Sequence, residues 1–319
     1  MRKIGIAFLL LLLPQISAAQ RIDNTASFRD IKSDSYFRFH YDNDFFTATD
    51  LYYTQGYTLE VVTPWLAKNP LNYMLLKFKQ GESRYGLTFE QTGFIPTDIT
   101  DDQIRFGDRP YAATIALKSF TISTDTVRKS RLVSSLTLGM IGPAAFGDEM
   151  QTGIHKLIDD DLPQGWQYQI KNDVIIDYQI GYEKELVRVN DIFSITSNSR
   201  VRLGTLNTNA STGFNVTLGL VNNPFTSVTG KNRFQVYLYS QPMGSVVGYD
   251  ATMQGGLFND NSPYTIANSD VERFTLQHNY GIVIQYGSLL FEASKADITR
   301  EFKQGNSHRW GGFKIGFKF

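Results

Sequence analysis

The sequence predicts an all-β fold, a closed antiparallel transmembrane β-barrel of twelve strands with one helix in an outer loop. Three observations predict it. Apolar and polar residues alternate with period two over long runs, which puts one set of side chains on each face of a strand. Aromatic residues make up 13% of the 319 residues, with 17 Tyr and 23 Phe, as expected where rings gather in girdles at the two interfaces of a membrane barrel. The last run interleaves Phe313, Ile315, Phe317 and Phe319 with Lys314, Gly316 and Lys318, so the alternation continues to the terminal residue, as in bacterial outer-membrane barrels. A periplasmic sandwich would alternate in the same way with its polar face in water. Long strands joined by short turns favour the barrel.

The chain opens on Met1-Arg2-Lys3, an apolar run over 4–13 and the small residues Ser17-Ala18-Ala19. These are the three parts of a signal peptide cleaved after Ala19. Residues 1–19 are read as that signal and 20–319 as one outer-membrane barrel domain, without a lipid anchor because the chain has no cysteine. Residues 20–34 are polar and are expected to be loosely ordered on the periplasmic side. Strand patterns follow at 36–44, 56–62, 85–90, 113–121, 132–141, 174–183, 193–203 and 213–220. Reading 232–256 as two strands gives an odd total of thirteen, whereas single-chain bacterial barrels carry even numbers. Residues 233–249 are therefore one strand with a bulge near Gly244, since proline, here Pro242, is tolerated at bulges. The turn Gly287-Ser288 then faces the periplasm, and the stretches 92–110, 142–171 and 251–271 face outward.

Within the second of these stretches, residues 142–158 read as a helix. Phe146, Met150, Ile154, Leu157 and Ile158 recur at helical spacing and predict a buried apolar stripe, with Pro143 tolerated in the first turn. Gln151 and His155, four residues apart, project from one face about one turn from each other.

Composition excludes several functions. Without cysteine there are no disulfides and no thiol nucleophile. No later run of 18 apolar residues exists to form a transmembrane helix. Removing Arg2 and Lys3 from a neutral chain leaves two more acidic than basic residues, which selects no nucleic acid. G-x-S-x-G, H-E-x-x-H and phosphate-loop motifs are absent.

Three groups of residues could carry chemistry. Asn43, Asp44, Thr49-Asp50 and Tyr53-Thr54-Gln55-Gly56 place oxygen donors at the outer end of the first strand, suited either to a hard cation or to turn hydrogen bonds. Arg109, in Gly107-Asp108-Arg109-Pro110-Tyr111, can present a fork to a phosphate or carboxylate, or pair with Asp108. His155 can take a proton from water, or be structural. His40, His278 and His308 have no comparable setting.

At these residues the chain resembles the outer-membrane lipid A deacylases that remove the 3′-linked acyl chains of lipid A. The resemblance runs from about residue 36 to 319. It rests on Tyr41-Asp42-Asn43-Asp44-Phe45-Phe46, Thr49-Asp50, Tyr53-Thr54-Gln55-Gly56, Gly107-Asp108-Arg109-Pro110-Tyr111-Ala112, Gly142-Pro143 through Gln151 to His155, Gly165-Trp166 with Gln169, and Asp250-Ala251-Thr252 with Gln254-Gly255-Gly256. It implies an active site between the barrel wall and an outer-loop helix. His155 would be the general base. Asn43 and Asp44 would position or bind Ca2+ near the oxyanion, Gln151 would support the site, and Arg109 would contact a sugar phosphate. The implied partners are lipid A or a related acylated envelope lipid and the outer-membrane bilayer, with the chain a monomer. An outer-membrane phospholipase, or a non-catalytic barrel for transport or adhesion, are the other readings.

Overall fold

The computed structural model describes residues 23–49, 51–228 and 234–319; the signal peptide read from the sequence and Asp50 lie outside the described residues. Twelve strands run in order around a closed wall. They are β1 (Tyr36–Asn43), β2 (Tyr53–Val62), β3 (Glu82–Phe94), β4 (Ala112–Asp125), β5 (Ser130–Ile141), β6 (Asp173–Val189), β7 (Phe193–Gly204), β8 (Asn207–Leu220), β9 (Gln235–Asp250), β10 (Phe274–Tyr286), β11 (Leu289–Ile298) and β12 (His308–Lys318). Each is antiparallel to its neighbours, and β1 closes the ring on β12 from Tyr36↔Lys318 to Asn43↔Gly311. Closure leaves no sheet edge, the condition a strand structure must meet in hydrocarbon.

The alternation read from the sequence sorts side chains between two surroundings. On β12, Lys314 and Lys318 are buried in the lumen, whereas Ile315, Phe317 and Phe319 are exposed outside. On β8, Asn215 and Thr217 point inward and Phe214 and Leu218 outward. Residues 235–250 form one strand, as the even count requires, but the bulge is not at Gly244. Thr208 pairs with Tyr249 and Asn209 with Val247, so Gly248 is the extra residue. Pro242 stays in the strand, facing outward where the β8–β9 ladder is interrupted, because it has no N–H to contribute.

The largest departure lies at the chain start. Residues 23–31 are not loosely ordered; they thread into the lumen at the end where β1 begins and β12 ends. Arg29, fully buried, contacts Glu292 and donates to the Tyr239 hydroxyl at 3.1 Å. Lys314 reaches the same Glu292 at 3.3 Å. Arg84 and Arg131 hold Asp30 at 2.6 and 2.9 Å, and the Ser27 N–H donates to Glu183 at 2.9 Å. Burial pushes the Asp30 carboxyl up, but the two guanidiniums outweigh it and hold the group down at about 2. Polarity misled the reading because the partners that bury these groups sit on five distant strands.

Candidate active site on the outer wall

The site is built on the outside of the barrel, at the end away from the termini. Along β1, Phe37, Phe39 and Tyr41 form the outward row, and Asn43 continues it. Its side-chain oxygen accepts the Phe45 N–H at 2.7 Å, capping the 3-10 turn Asp44–Thr47, and its amide donates to the Tyr41 hydroxyl at 3.0 Å. Asp44 is 2% exposed and accepts the Leu51 N–H at 2.6 Å, which closes the loop back towards β2. Beside it, a register shift between Tyr53 and Gln55 sets Thr54 apart from the regular β2–β3 ladder.

The helix α1 (Gly147–Ile158) lies over the wall beside this strand end, with Gln151 at Thr54 of β2. It begins five residues later than the sequence predicts, because Phe146 adopts a left-handed backbone (φ 57°) that separates α1 from the 3-10 turn Pro143–Ala145. Its buried face is also not the one predicted. Gly147, Gln151 and His155 are buried, Met150 and Ile154 are half-buried, and Phe146, Leu157 and Ile158 are 54%, 85% and 54% exposed. The apolar flank faces away from the wall and the polar stripe faces the wall.

Two hydrogen bonds fix that polar stripe. The Trp166 indole N–H donates to the Gln151 side-chain oxygen at 2.7 Å, which turns the Gln151 amide towards the Thr54 hydroxyl at 3.3 Å. Gln91, on the outward row of β3, donates to the Ala145 carbonyl at 3.3 Å. One turn beyond Gln151, the His155 Nδ1 lies 2.5 Å from the Asp161 carbonyl oxygen. A carbonyl can only accept, so in the neutral ring Nδ1 carries the proton and Nε2 keeps the lone pair. His155 is 8% exposed.

The close approach of helix to wall depends on Gly147. A Cβ there would fall 2.5 Å from the Ala113 Cβ and 2.6 Å from the Trp166 ring. Gly147→Val should therefore lift α1 from the wall, and a catalytic group on it misplaced by an ångström would lose about 100-fold in turnover. Kinetics on refolded protein, with heat-modifiable gel mobility reporting an intact barrel, checks this.

A family model for outer membrane protein LpxR matches residues 4–319. The chain belongs to the LpxR family. The solved structure of LpxR from Salmonella typhimurium is 19% identical, with a TM-score of 0.73 covering 89% of this chain and 100% of that one; the fold is shared. The β domain of the Bordetella autotransporter BrkA (8% identity, 90% and 99% covered, TM-score 0.46) and the translocator domain of NalP from Neisseria meningitidis (8%, 89% and 87%, 0.43) resemble it less. No curated protein sequence matches. LpxR membership and the closed barrel place the chain in the bacterial outer membrane, with the start of β1, the end of β12 and the short turns towards the periplasm and His155 at the outer rim.

In this LpxR-family barrel, the sequence-predicted residues divide into two places. Gln151 and His155 sit on α1, which reaches the start of β2 through Thr54, and Asn43 and Asp44 stand at the outer end of β1, the strand paired with β2. Arg109 lies elsewhere. Its guanidinium is buried, contacts Glu301, donates to the Thr252 hydroxyl at 2.7 Å and stacks 4.4 Å over the Phe94 ring, which points into the lumen. Burial pushes the Glu301 carboxyl up to about 7 against the pull of Arg109. A luminal cavity of about 140 Å³, lined by Glu90, Lys118, Arg200, Glu301 and His308, includes none of the four rim residues.

The sequence places Thr54 only among oxygen donors at a strand end and marks no role for Trp166, Gln91 or Gly147. A signal was present. Gln91 falls on a lipid-facing position by strand parity, and a polar residue there needs a cover; α1 and the turn before it provide one. The acidic run 159–161 contributes through the Asp161 backbone carbonyl rather than through a carboxylate, which no side-chain pattern could reveal.

Proposed function

We propose that the chain is an ester hydrolase that removes the 3′-linked acyloxyacyl group of lipid A, or an equivalent acyl chain of a related envelope lipid, at the outer leaflet. LpxR-family membership supports the lipid A substrate class. The observation that carries the chemistry is His155, tethered through Nδ1 with Nε2 left as the basic nitrogen, on a helix held to the outer wall of the barrel.

In this reading Nε2 takes a proton from water as the water oxygen bonds to the ester carbonyl carbon. When the tetrahedral centre collapses, the bond to the leaving alkoxide breaks and His155 returns the proton to that oxygen. Gln151 is a positioning residue: between Trp166 and Thr54 it fixes the rotation of α1 and so the direction of His155. The exposed flank of Phe146, Leu157 and Ile158 gives acyl chains an apolar surface beside the base. Arg109, paired with Glu301 towards the lumen, keeps the outer loops in place in this reading, and a phosphate contact would require it to leave that pair.

Calcium fits the donor chemistry at the end of β1. Asp44 supplies a buried carboxylate and Asn43 an amide oxygen, both hard donors, and Asn43 and Asp44 are the residues that would hold the ion. Among the described residues no group of three or more His, Cys, Asp or Glu could hold a metal, so the remaining ligands would be hydroxyl, backbone or water oxygens. When bound, the ion would supply positive charge to stabilise the oxyanion.

Mass spectrometry of lipid A from cells expressing the chain tests the substrate. The expected result is loss of the 3′-linked acyl mass; unchanged lipid A overturns it, and lysophospholipid in its place would favour the phospholipase reading. Chelation should abolish activity and added calcium should restore it. Full activity after chelation would remove the ion from the mechanism.

A further inference from the structure

The connection between β2 and β3, residues 63–81, is long for the periplasmic end of a barrel. It holds two 3-10 turns, Pro64–Lys68 and Pro70–Met74, and it folds back over the outside of the wall. Four hydrogen bonds fasten it there. Asn69 donates to the Ser119 hydroxyl (3.1 Å), the Phe78 N–H to the Ser123 hydroxyl (3.0 Å), the Ser134 hydroxyl to the Leu76 carbonyl (2.7 Å) and the Tyr178 hydroxyl to the Met74 carbonyl (2.7 Å). All four wall residues occupy outward rows.

The wall is patterned for this cover. On β4 the outward row begins Ala113, Ile115 and Leu117, then turns polar at Ser119, Thr121 and Ser123. Leu117 is 50% exposed, as a lipid-facing residue should be, while the three hydroxyl residues are at most 2% exposed beneath the segment. Bare hydroxyls facing hydrocarbon would be costly. Leu66 and Leu75 are buried on the inner side of the segment, and its outer side presents Trp65, Tyr73, Met74 and Leu76, of which Tyr73 is 95% exposed. Between residues 63 and 81 the sequence has Lys68, Lys77 and Lys79 and no acidic residue; all three lysines are exposed.

We propose that residues 63–81 form an interfacial collar that seats the barrel in the periplasmic phospholipid leaflet. Trp65, Tyr73 and Met74 enter the headgroup–acyl boundary, and Lys68, Lys77 and Lys79 engage anionic phospholipid headgroups. Trp and Tyr with adjacent cations, on a segment lying flat in the interface, is the pattern of an in-plane membrane anchor. The wall supplies the second argument: the collar is fastened to lipid-facing rows, and the outward row of β6 that holds Met74 through Tyr178 also exposes Ile176 on its outer side and Tyr182 on its periplasmic side, so the collar shares its surroundings. The surplus of three positive charges selects anionic lipid over a neutral partner surface.

The three tryptophans make this testable, because Trp166 and Trp310 are buried and Trp65 is 72% exposed. The full chain is reconstituted in phosphatidylcholine vesicles, and the difference between wild type and Trp65→Phe gives the Trp65 emission. Lipid brominated high on the acyl chains should quench most of that emission, and aqueous acrylamide little of it. Acrylamide quenching without bromolipid quenching overturns the proposal and leaves the segment facing water, for a protein partner or a second copy. The headgroup part is read by native mass spectrometry from equal mixtures of phosphatidylglycerol and phosphatidylcholine. Retained phosphatidylglycerol should exceed phosphatidylcholine by about fivefold for each lysine engaged and fall to parity in Lys68→Gln/Lys77→Gln/Lys79→Gln. Equal retention by both proteins rejects headgroup binding; if the triple variant does not refold, Lys68→Gln alone must show a partial loss.

Discussion

His155→Gln should lower deacylation by about 1,000-fold, within the range that a positioned base contributes, while the barrel keeps its heat-modifiable mobility. The effect is large because the structure prepares one nitrogen. The Asp161 carbonyl binds Nδ1, and the ring cannot present Nε2 as a base without that contact or an equivalent one. Glutamine keeps a polar side chain of similar length on the buried face of α1, so α1 should stay in place and the loss should fall in kcat more than in KM. Imidazole added to His155→Ala separates chemistry from structure: partial rescue is expected if the missing function is proton transfer. An unchanged rate in His155→Gln would reassign the base.

The second large effect concerns stability and falls at the opposite end of the barrel. Glu292→Ala should destabilise the fold by about 3–5 kcal/mol, the usual cost of leaving buried partner charges uncompensated. Glu292 is 1% exposed and faces both Arg29 and Lys314, so its removal leaves the buried Arg29 guanidinium without its carboxylate and Lys314 without its partner. Arg29→Ala should cost less, because Lys314 remains beside the carboxylate. Urea titrations of the folded gel band measure both, and the reverse order would contradict the assigned network. Deacylation per folded molecule should be unchanged in Glu292→Ala, since the network lies near the periplasmic end and His155 at the outer rim.

The two sites also explain which parts of the molecule were legible in the sequence. Period two on β8 and β12 gave strands and faces without any knowledge of contacts, because a lipid-facing row and a luminal row alternate whatever the neighbouring strand is. The twelve-strand closure followed from parity. Residues 23–31 were misread, since a run of polar residues looks alike whether it is solvated or enclosed by Arg84, Arg131, Glu183 and Glu292 from separate strands. The bulge was misplaced from Gly248 to Gly244 because proline draws attention to its own neighbourhood, whereas the extra residue depends on the register with β8.

The helix shows the same division most sharply. Its existence and the spacing of Gln151 and His155 were readable from the chain alone, as was the alternation that makes the barrel, because both depend only on local periodicity. Which face it buries was not. An apolar stripe is assigned to the interior on the assumption that water lies on the other side, and for a helix against the outer wall of a membrane barrel that assumption fails. Only the tertiary structure decided that Thr54 and Trp166 meet the polar stripe and Gln91 the turn before it, that Gly147 allows the approach, and that a backbone carbonyl, invisible to any side-chain pattern, orients His155.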